Sequence, residues 1–291
     1  MSIKNNYSII IALEDNTISD GIQDVLNHMA TLSPPLDRSY IQTNHTESLY
    51  KESFKNNKVI IGINLDLSTI SLFDSINEIT CLSPKVDAYY DVFYHKINLI
   101  GYQRQFISQQ ILKGLEVNSK SNISLGLLSQ DISISEHIFR KSELIEFNLS
   151  TLKGSEFQVF SNGNPAGLIS EQFIQLAKYA GYSDNIKILN FKFSKDLEFG
   201  NEHFISKLIG TSIWYFEESI IQALEDHDDE LIMSVVEHEH DFIYFFKSPN
   251  TGKCYYSYEE DDKKESCSSQ EYENAIKRGI ISEKIQRRII N

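Results

Sequence analysis

The segment Glu237-His238-Glu239-His240-Asp241 concentrates metal-ligating side chains within a few residues. On a strand, residues 238 and 240 share one face, and imidazoles are good zinc ligands. A zinc centre needs three or four protein ligands, and no third or fourth lies at a useful spacing. The segment therefore reads as a polar entry into the strand that comes after it. His227-Asp228-Asp229-Glu230 reads as a solvated turn. Cys81, Cys254 and Cys267 carry no local nucleophile signature. Their odd number and wide spacing make neither a disulfide framework nor a zinc ribbon, so they read as buried thiols in a reducing compartment. The sequence contains no P-loop, no G-x-G-x-x-G and no G-x-S-x-G elbow. Asn162-Gly163-Asn164-Pro165-Ala166-Gly167-Leu168 is a dense turn cluster before a helix, and its local chemistry is that of a loop.

These residues must be positioned by the elements around them. Short apolar runs recur at 7–13, 58–63, 76–82, 96–102, 122–128, 144–149 and 186–192. Most are continuous in Ile, Leu, Val or Phe rather than alternating, as expected of strands buried on both faces of a parallel sheet. Helical spacing lies between them. Ile22, Val25, Leu26 and Met29 share one face of 19–30. Phe173, Leu176, Ala177 and Ala180 share one face of 171–180, and Gly181 sits where a glycine just past the helix would end it. The longest candidate, 203–224, turns Phe204, Leu208, Ile213, Phe216, Ile220 and Leu224 inward. Alternating strands and helices give the α/β class. Toward the C-terminus, the aromatic-rich runs 241–247 and 254–258 flank a Pro/Asn/Gly turn and predict a β-hairpin. Residues 259–266 read as an exposed loop and 269–290 as one or two closing helices. The best partition is an α/β domain over 1–235 with a hairpin-and-helix appendage of the same domain over 236–291.

The chain has 291 residues with 27 Lys and Arg against 41 Asp and Glu, a net charge of −14. A surface this acidic repels phosphate backbones and argues against nucleic acid as a partner. A hydrophobic content of 41% argues against wholesale disorder. No apolar stretch approaches the roughly 20 residues that cross a bilayer, so no membrane insertion is expected and the protein reads as cytoplasmic.

Several segments together resemble the ureohydrolase superfamily of arginase, agmatinase and formimidoylglutamase, most of all its divergent members in Bacteroidetes. Asn164-Pro165-Ala166-Gly167-Leu168-Ile169-Ser170-Glu171 and Ala177-Lys178-Tyr179-Ala180-Gly181-Tyr182-Ser183-Asp184 resemble the family's proline/glycine loop, helix and following turn. Trp214-Tyr215-Phe216-Glu217, Phe245-Phe246-Lys247-Ser248-Pro249, Ile100-Gly101-Tyr102-Gln103 and Ala12-Leu13-Glu14-Asp15 resemble further motifs in matching order. The resemblance implies a three-layer α/β/α domain on a mostly parallel sheet of about eight strands. It also implies a binuclear manganese site at three strand ends, with patterns G-G-x-H, D-x-H-x-D and S-x-D-x-D.

Laid on those patterns, this sequence departs from nearly all of them. Leu65 takes the first histidine position, Ser83 and Lys85 take an aspartate and a histidine, and Asn148 and Ser150 take two aspartates. Asp87 alone keeps its carboxylate. Manganese wants several hard anionic ligands, and one carboxylate cannot hold two ions. The expectation is a pseudoenzyme with no catalytic residue, no metal ligand and no cofactor, acting as an interaction or regulatory subunit for a protein partner. Tyr255, Tyr256 and Tyr258 are candidate interface anchors beside their packing role in the hairpin. One alternative is a C–N hydrolase with a rebuilt manganese or zinc site using Asp87, Asp91, His95 and 237–241. Another is a small-molecule sensor that uses the former substrate pocket.

Overall fold

A computed structural model describes residues 8–13, 16–29, 36–42, 58–65, 76–85, 97–118, 121–157, 164–225, 230–238, 241–258, 264–283 and 285–286. Strands apolar at every position need cover on both faces. The first eight strands are β1 (Ser8–Leu13), β2 (Asp37–Gln42), β3 (Lys58–Ile63), β4 (Ile79–Leu82), β5 (Ile97–Tyr102), β6 (Asn122–Ser124), β7 (Leu144–Asn148) and β8 (Ile188–Lys192). They form one parallel sheet in the order β2-β1-β3-β8-β7-β4-β5-β6. The main helices are α1 (Asn16–Met29), α2 (Gln109–Asn118), α3 (Leu125–Gln130), α4 (Ser170–Gly181), α5 (Glu202–Glu225) and α6 (Ser269–Arg278). One face of the sheet, with Ile11, Ile61, Ile145, Leu189 and Phe191, packs under α1, α4 and α5. There Phe147 meets Phe139, Phe173 and Phe191 edge to face, with ring centroids 5.4–5.9 Å apart. The opposite face carries Ile10, Ile60, Cys81, Leu99 and Ile188, with Ile111 and Leu112 of α2 against it. The expected three-layer α/β architecture is therefore present.

Three local features differ from the sequence expectation. The run 122–128 is strand only to Ser124; α3 begins at Leu125 because Leu125 and Leu128, one helical turn apart, both enter the core. Gly181 is the last residue of α4 rather than a cap beyond it. An added Cβ there would stand 2.3 Å from the Phe216 carbonyl oxygen of α5, so the glycine permits the close approach of two helices. The strand β2, Asp-Arg-Ser-Tyr-Ile-Gln, has no apolar run to announce it, because a sheet edge needs none. Arg38 of β2 grips Glu217 of α5 through Nε at 2.7 and 3.0 Å and through Nη2, and so fastens this edge. Burial raises the Glu217 carboxyl pKa despite the opposing pull of that guanidinium.

The hairpin expected at 241–247 and 254–258 forms, within a larger antiparallel sheet. β9 (Ile232–His238), β10 (Asp241–Lys247), β11 (Cys254–Ser257) and β12 (Glu265–Cys267) lie in the order β12-β11-β10-β9. Glu265 and Ser266 thus belong to a strand, not to a loop. One face packs Ile243, Phe245 and Tyr256 against Ala275 of α6, Ile281 and Ile285. Helix α6 starts with a capping box, in which Ser268 and Glu271 satisfy each other's backbone N–H groups.

Two buried cations dock this sheet on the α/β domain. Arg140 is 1% exposed. It holds Glu136 through Nε at 2.6 Å and through Nη2, donates from Nη1 to the Cys254 carbonyl at 2.6 Å, and covers the Tyr255 ring at 4.8 Å. Lys253 reaches Asp184 at 3.6 Å and lies 5.6 Å from the Tyr182 ring centre. Removing one partner of a buried pair strands the other charge. Arg140→Met is therefore expected to cost about 3–5 kcal/mol in urea unfolding. The Glu136→Gln/Arg140→Met double variant should lose less than the sum of the two single changes. Additive losses would show that the pair does not hold the sheet in place.

Candidate functional site

In a parallel sheet every strand points the same way, so the carboxyl ends gather along one rim, where such folds place their chemistry. The described positions that the resemblance assigns to metal ligands fall on that rim, at or just past the ends of β3, β4 and β7. Asp87 lies outside the described residues, as do Asp91 and His95.

At the end of β3 the chain turns through Asn64 in the left-handed region, φ 58°, which asparagine tolerates. The Asn64 N–H donates to the Phe191 carbonyl at 2.7 Å, and its Oδ1 accepts from Phe193 N–H at 3.2 Å. This turn folds Leu65 back over the strand. The Leu65 N–H donates to Asn190 Oδ1, and Asn190 Nδ2 donates to the Leu65 carbonyl, both at 3.2 Å. The Leu65 side chain is 2% exposed and belongs to the second apolar cluster. It occupies the space above Gly62, where an added Cβ would lie 2.5 Å from Leu65 Cδ1 and 2.7 Å from Asn190 Oδ1. A hydrocarbon thus fills the position that the resemblance assigns to the first histidine, and it offers no donor atom.

At the end of β4, Ser83 is buried and donates its N–H to the Ile100 carbonyl at 3.0 Å. Its Oγ accepts a weak bond from Lys85 N–H at 3.4 Å. Lys85 is exposed and has no side-chain partner among the described residues. At the end of β7, Asn148 Oδ1 accepts from Ser150 N–H at 3.0 Å and from Ser150 Oγ at 2.7 Å. Asn148 thereby caps the short helical turn Leu149–Thr151, and both side chains are engaged with each other. Lys85 and Ser150 face a 300 Å³ cavity shared with Asn164, Ser194 and Asp196. Two Mn²⁺ ions require hard anionic donors. A leucine, an ammonium and a self-capped Asn–Ser pair do not fit them.

The remaining candidates separate. Glu237 is exposed, and His238 pairs with Asp241 across β9 and β10. Glu239 and His240 lie outside the described residues, as do His227, Asp228 and Asp229. Among the described residues no group of three or more His, Cys, Asp or Glu side chains could hold a metal ion. The tyrosines expected as interface anchors pack internally instead. Tyr256 is buried and donates to Glu265 at 3.0 Å, Tyr258 donates to the Ile285 carbonyl at 2.6 Å, and Tyr255 lies under Arg140. Tyr256 and Tyr258 belong to the core under this sheet, and Tyr255 is half-buried against Arg140. Met233, Val235 and Phe242 are exposed instead, and they share one face of β9 and β10.

Two features lie outside the sequence expectation. Glu146, 2% exposed, faces the second apolar cluster from β7 and accepts from Asn190 Nδ2 at 3.2 Å. A lone carboxylate inside the run Leu-Ile-Glu-Phe is its signal. The loop 164–168 separates two cavities, and nothing local in its sequence marks it as a wall.

Comparison with known proteins places this geometry. No protein-family profile matches the sequence, and no curated protein matches it. Solved structures do match. Formiminoglutamase of Trypanosoma cruzi with Mn²⁺₂ aligns with a TM-score of 0.56 at 8% identity, over 74% of this chain and 93% of that one. Formimidoylglutamase of Bacillus subtilis aligns at 0.57 and 11%, over 74% and 86%. Agmatine ureohydrolase of Thermoplasma volcanium aligns at 0.51 and 14%, over 74% and 89%. The chain has the arginase-like fold of these structures, with an additional antiparallel sheet.

The packing at the rim and in the cores sets two expected outcomes. Gly62→Ala should cost about 1–3 kcal/mol through overpacking against Leu65. The same change should cost less in a Leu65→Ala background, as read by urea unfolding of the four proteins. Equal costs would place Leu65 elsewhere. All three cysteines are free and buried, and burial pushes the Cys254 thiol pKa up. Native protein at about pH 7.5 should therefore react with a thiol reagent far more slowly than protein in urea. Rapid native labelling would contradict this burial.

Proposed function

We propose that this chain is an arginase-fold protein without the binuclear manganese centre and its hydrolysis, acting as a protein-interaction or regulatory subunit. The observation that carries the reading is Leu65, a buried hydrocarbon seated at the first ligand position and locked there by Asn190. Lys85 and the Asn148–Ser150 cap support it, because neither supplies an anionic donor. An interaction role draws support from Met233, Val235 and Phe242, three exposed apolar side chains on one sheet face that includes the edge strand β9. Contiguous exposed apolar residues commonly mark contact sites.

The first test is elemental analysis after incubation with excess Mn²⁺ or Zn²⁺ and desalting. Retention below about a tenth of an equivalent is expected from so poor a donor set. One or two tightly held equivalents, or metal-dependent release of urea, ammonia or formamide from arginine, agmatine or formiminoglutamate, would overturn the non-catalytic reading. The interaction role predicts a mass that grows with concentration in light scattering, or a defined complex with a partner, weakened by Val235→Lys. A strictly monomeric chain without a partner would defeat it.

A further inference from the structure

A 720 Å³ cavity opens at the same rim, beyond the ends of β5 and β6. Its walls are Tyr102 to Gln105, the start of α3, Lys153 and the loop 165–169. Two cations line it, exposed Arg104 and half-buried Lys153, and among the described residues that line it none is Asp or Glu. Neither cation has a side-chain hydrogen bond or ion pair among the described residues. By contrast, three deeply placed cations elsewhere in this chain of net charge −14 are paired: Arg38 with Glu217, Arg140 with Glu136 and Lys253 with Asp184. A half-buried ammonium without a counter-charge costs free energy that a bound anion would recover.

The rest of the wall suits the same guest. Gln103 is 4% exposed and rigidly held, its Nε2 donating to the Ala166 carbonyl at 2.9 Å and its Oε1 accepting from Gln105 at 2.7 Å. That pairing fixes the loop against the end of β5. Tyr102, Leu125, Pro165 and Ile169 add apolar surface. Pockets of this size, mostly apolar with a few convergent polar groups, are the usual form of small-molecule sites.

We propose that this cavity binds a small organic anion, a phosphate or carboxylate attached to an apolar body, with Lys153 and Arg104 holding the charged end. The site uses none of Leu65, Ser83, Lys85, Asp87, Asn148 and Ser150, so it stands or falls separately from the non-catalytic reading.

The test is calorimetric titration of the full chain with phenyl phosphate, benzoate, inorganic phosphate and, as the neutral control, benzyl alcohol. Saturable binding of phenyl phosphate or benzoate, tighter than that of the two reference compounds, is expected. Lys153→Met should weaken it by about tenfold, Arg104→Gln by a smaller factor because that side chain is exposed, and Lys153→Arg should retain it. Lys277→Gln on α6 should leave it unchanged. Circular dichroism and urea midpoints matching the parent establish that each variant is folded. Absence of saturable binding by both aromatic anions would overturn the proposal. So would equal affinity in the folded Lys153→Met/Arg104→Gln double variant, or benzyl alcohol binding as tightly as phenyl phosphate.

Discussion

The carboxamide of Asn190 joins the ends of three strands. From β8 it accepts from the Leu65 N–H, donates to the Leu65 carbonyl, and donates to Glu146 on β7. An amide is suited to this, since it donates and accepts at once, and a buried polar group must find both partners. These bonds set the path of the chain after β3. With its backbone pinned at Leu65, the chain cannot carry that side chain out over the rim. The side chain must lie back on the sheet, and Gly62 leaves the space for it. The rim is thus closed there by backbone hydrogen bonds and hydrocarbon.

The substituted positions do not obstruct a metal equally. Lys85 is exposed, and its charge is screened and free to swing into water. Its repulsion of a cation is therefore the weakest of the obstacles. The Asn148–Ser150 pair is worth one local cap, a few tenths to about 2 kcal/mol on the scale of such motifs. Leu65 is different in kind. Moving it out would expose a leucine and leave a void among Ile10, Ala12 and Ile60, a cost of about 2–5 kcal/mol by analogy with truncation of a buried leucine. Apolar packing, more than charge, is what the proposed loss of chemistry rests on.

The sheet was legible because its strands are buried on both faces: short runs dominated by Ile, Leu, Val and Phe, as over 58–63 and 186–192, mark them. Edges were harder to read. β2 and β6 lie at the two ends of the sheet; β2 is too polar to announce itself, and the run that announces β6 continues into α3. β9 was hidden for another reason. Its apolar residues are exposed or half-buried, so no core-seeking pattern reveals them. At the rim, residue identities sufficed to question the metal ligands, since chemistry alone separates leucine from histidine. Asn190 and Glu146 could not be recognised in the same way, because their role depends on cross-strand register. The same holds for the cavity at Lys153, whose walls are drawn from separate segments between Tyr102 and Gln172.

Charge is distributed over this fold with a consistent asymmetry. Away from the rim, each buried cation meets a carboxylate: Arg38 fastens β2 to α5, and Arg140 and Lys253 fasten the second sheet to the α/β domain. Such pairs return little net stability over apolar packing, but they fix which surfaces meet. They act as a register for docking an appended sheet whose own core is small. At the rim, Lys85, Arg104 and Lys153 have no side-chain partner among the described residues. Hard divalent cations such as Mn²⁺ are held mainly by anionic oxygen donors. Among the described residues, Asp196 is the one carboxylate that lines either rim cavity, with Lys85 in the same cavity and Arg104 and Lys153 in the other, on a chain that is acidic overall. The field there is suited to anions. The two proposals are thus physically compatible, since a rim that offers few anionic donors to a metal leaves its cations available to a small anion.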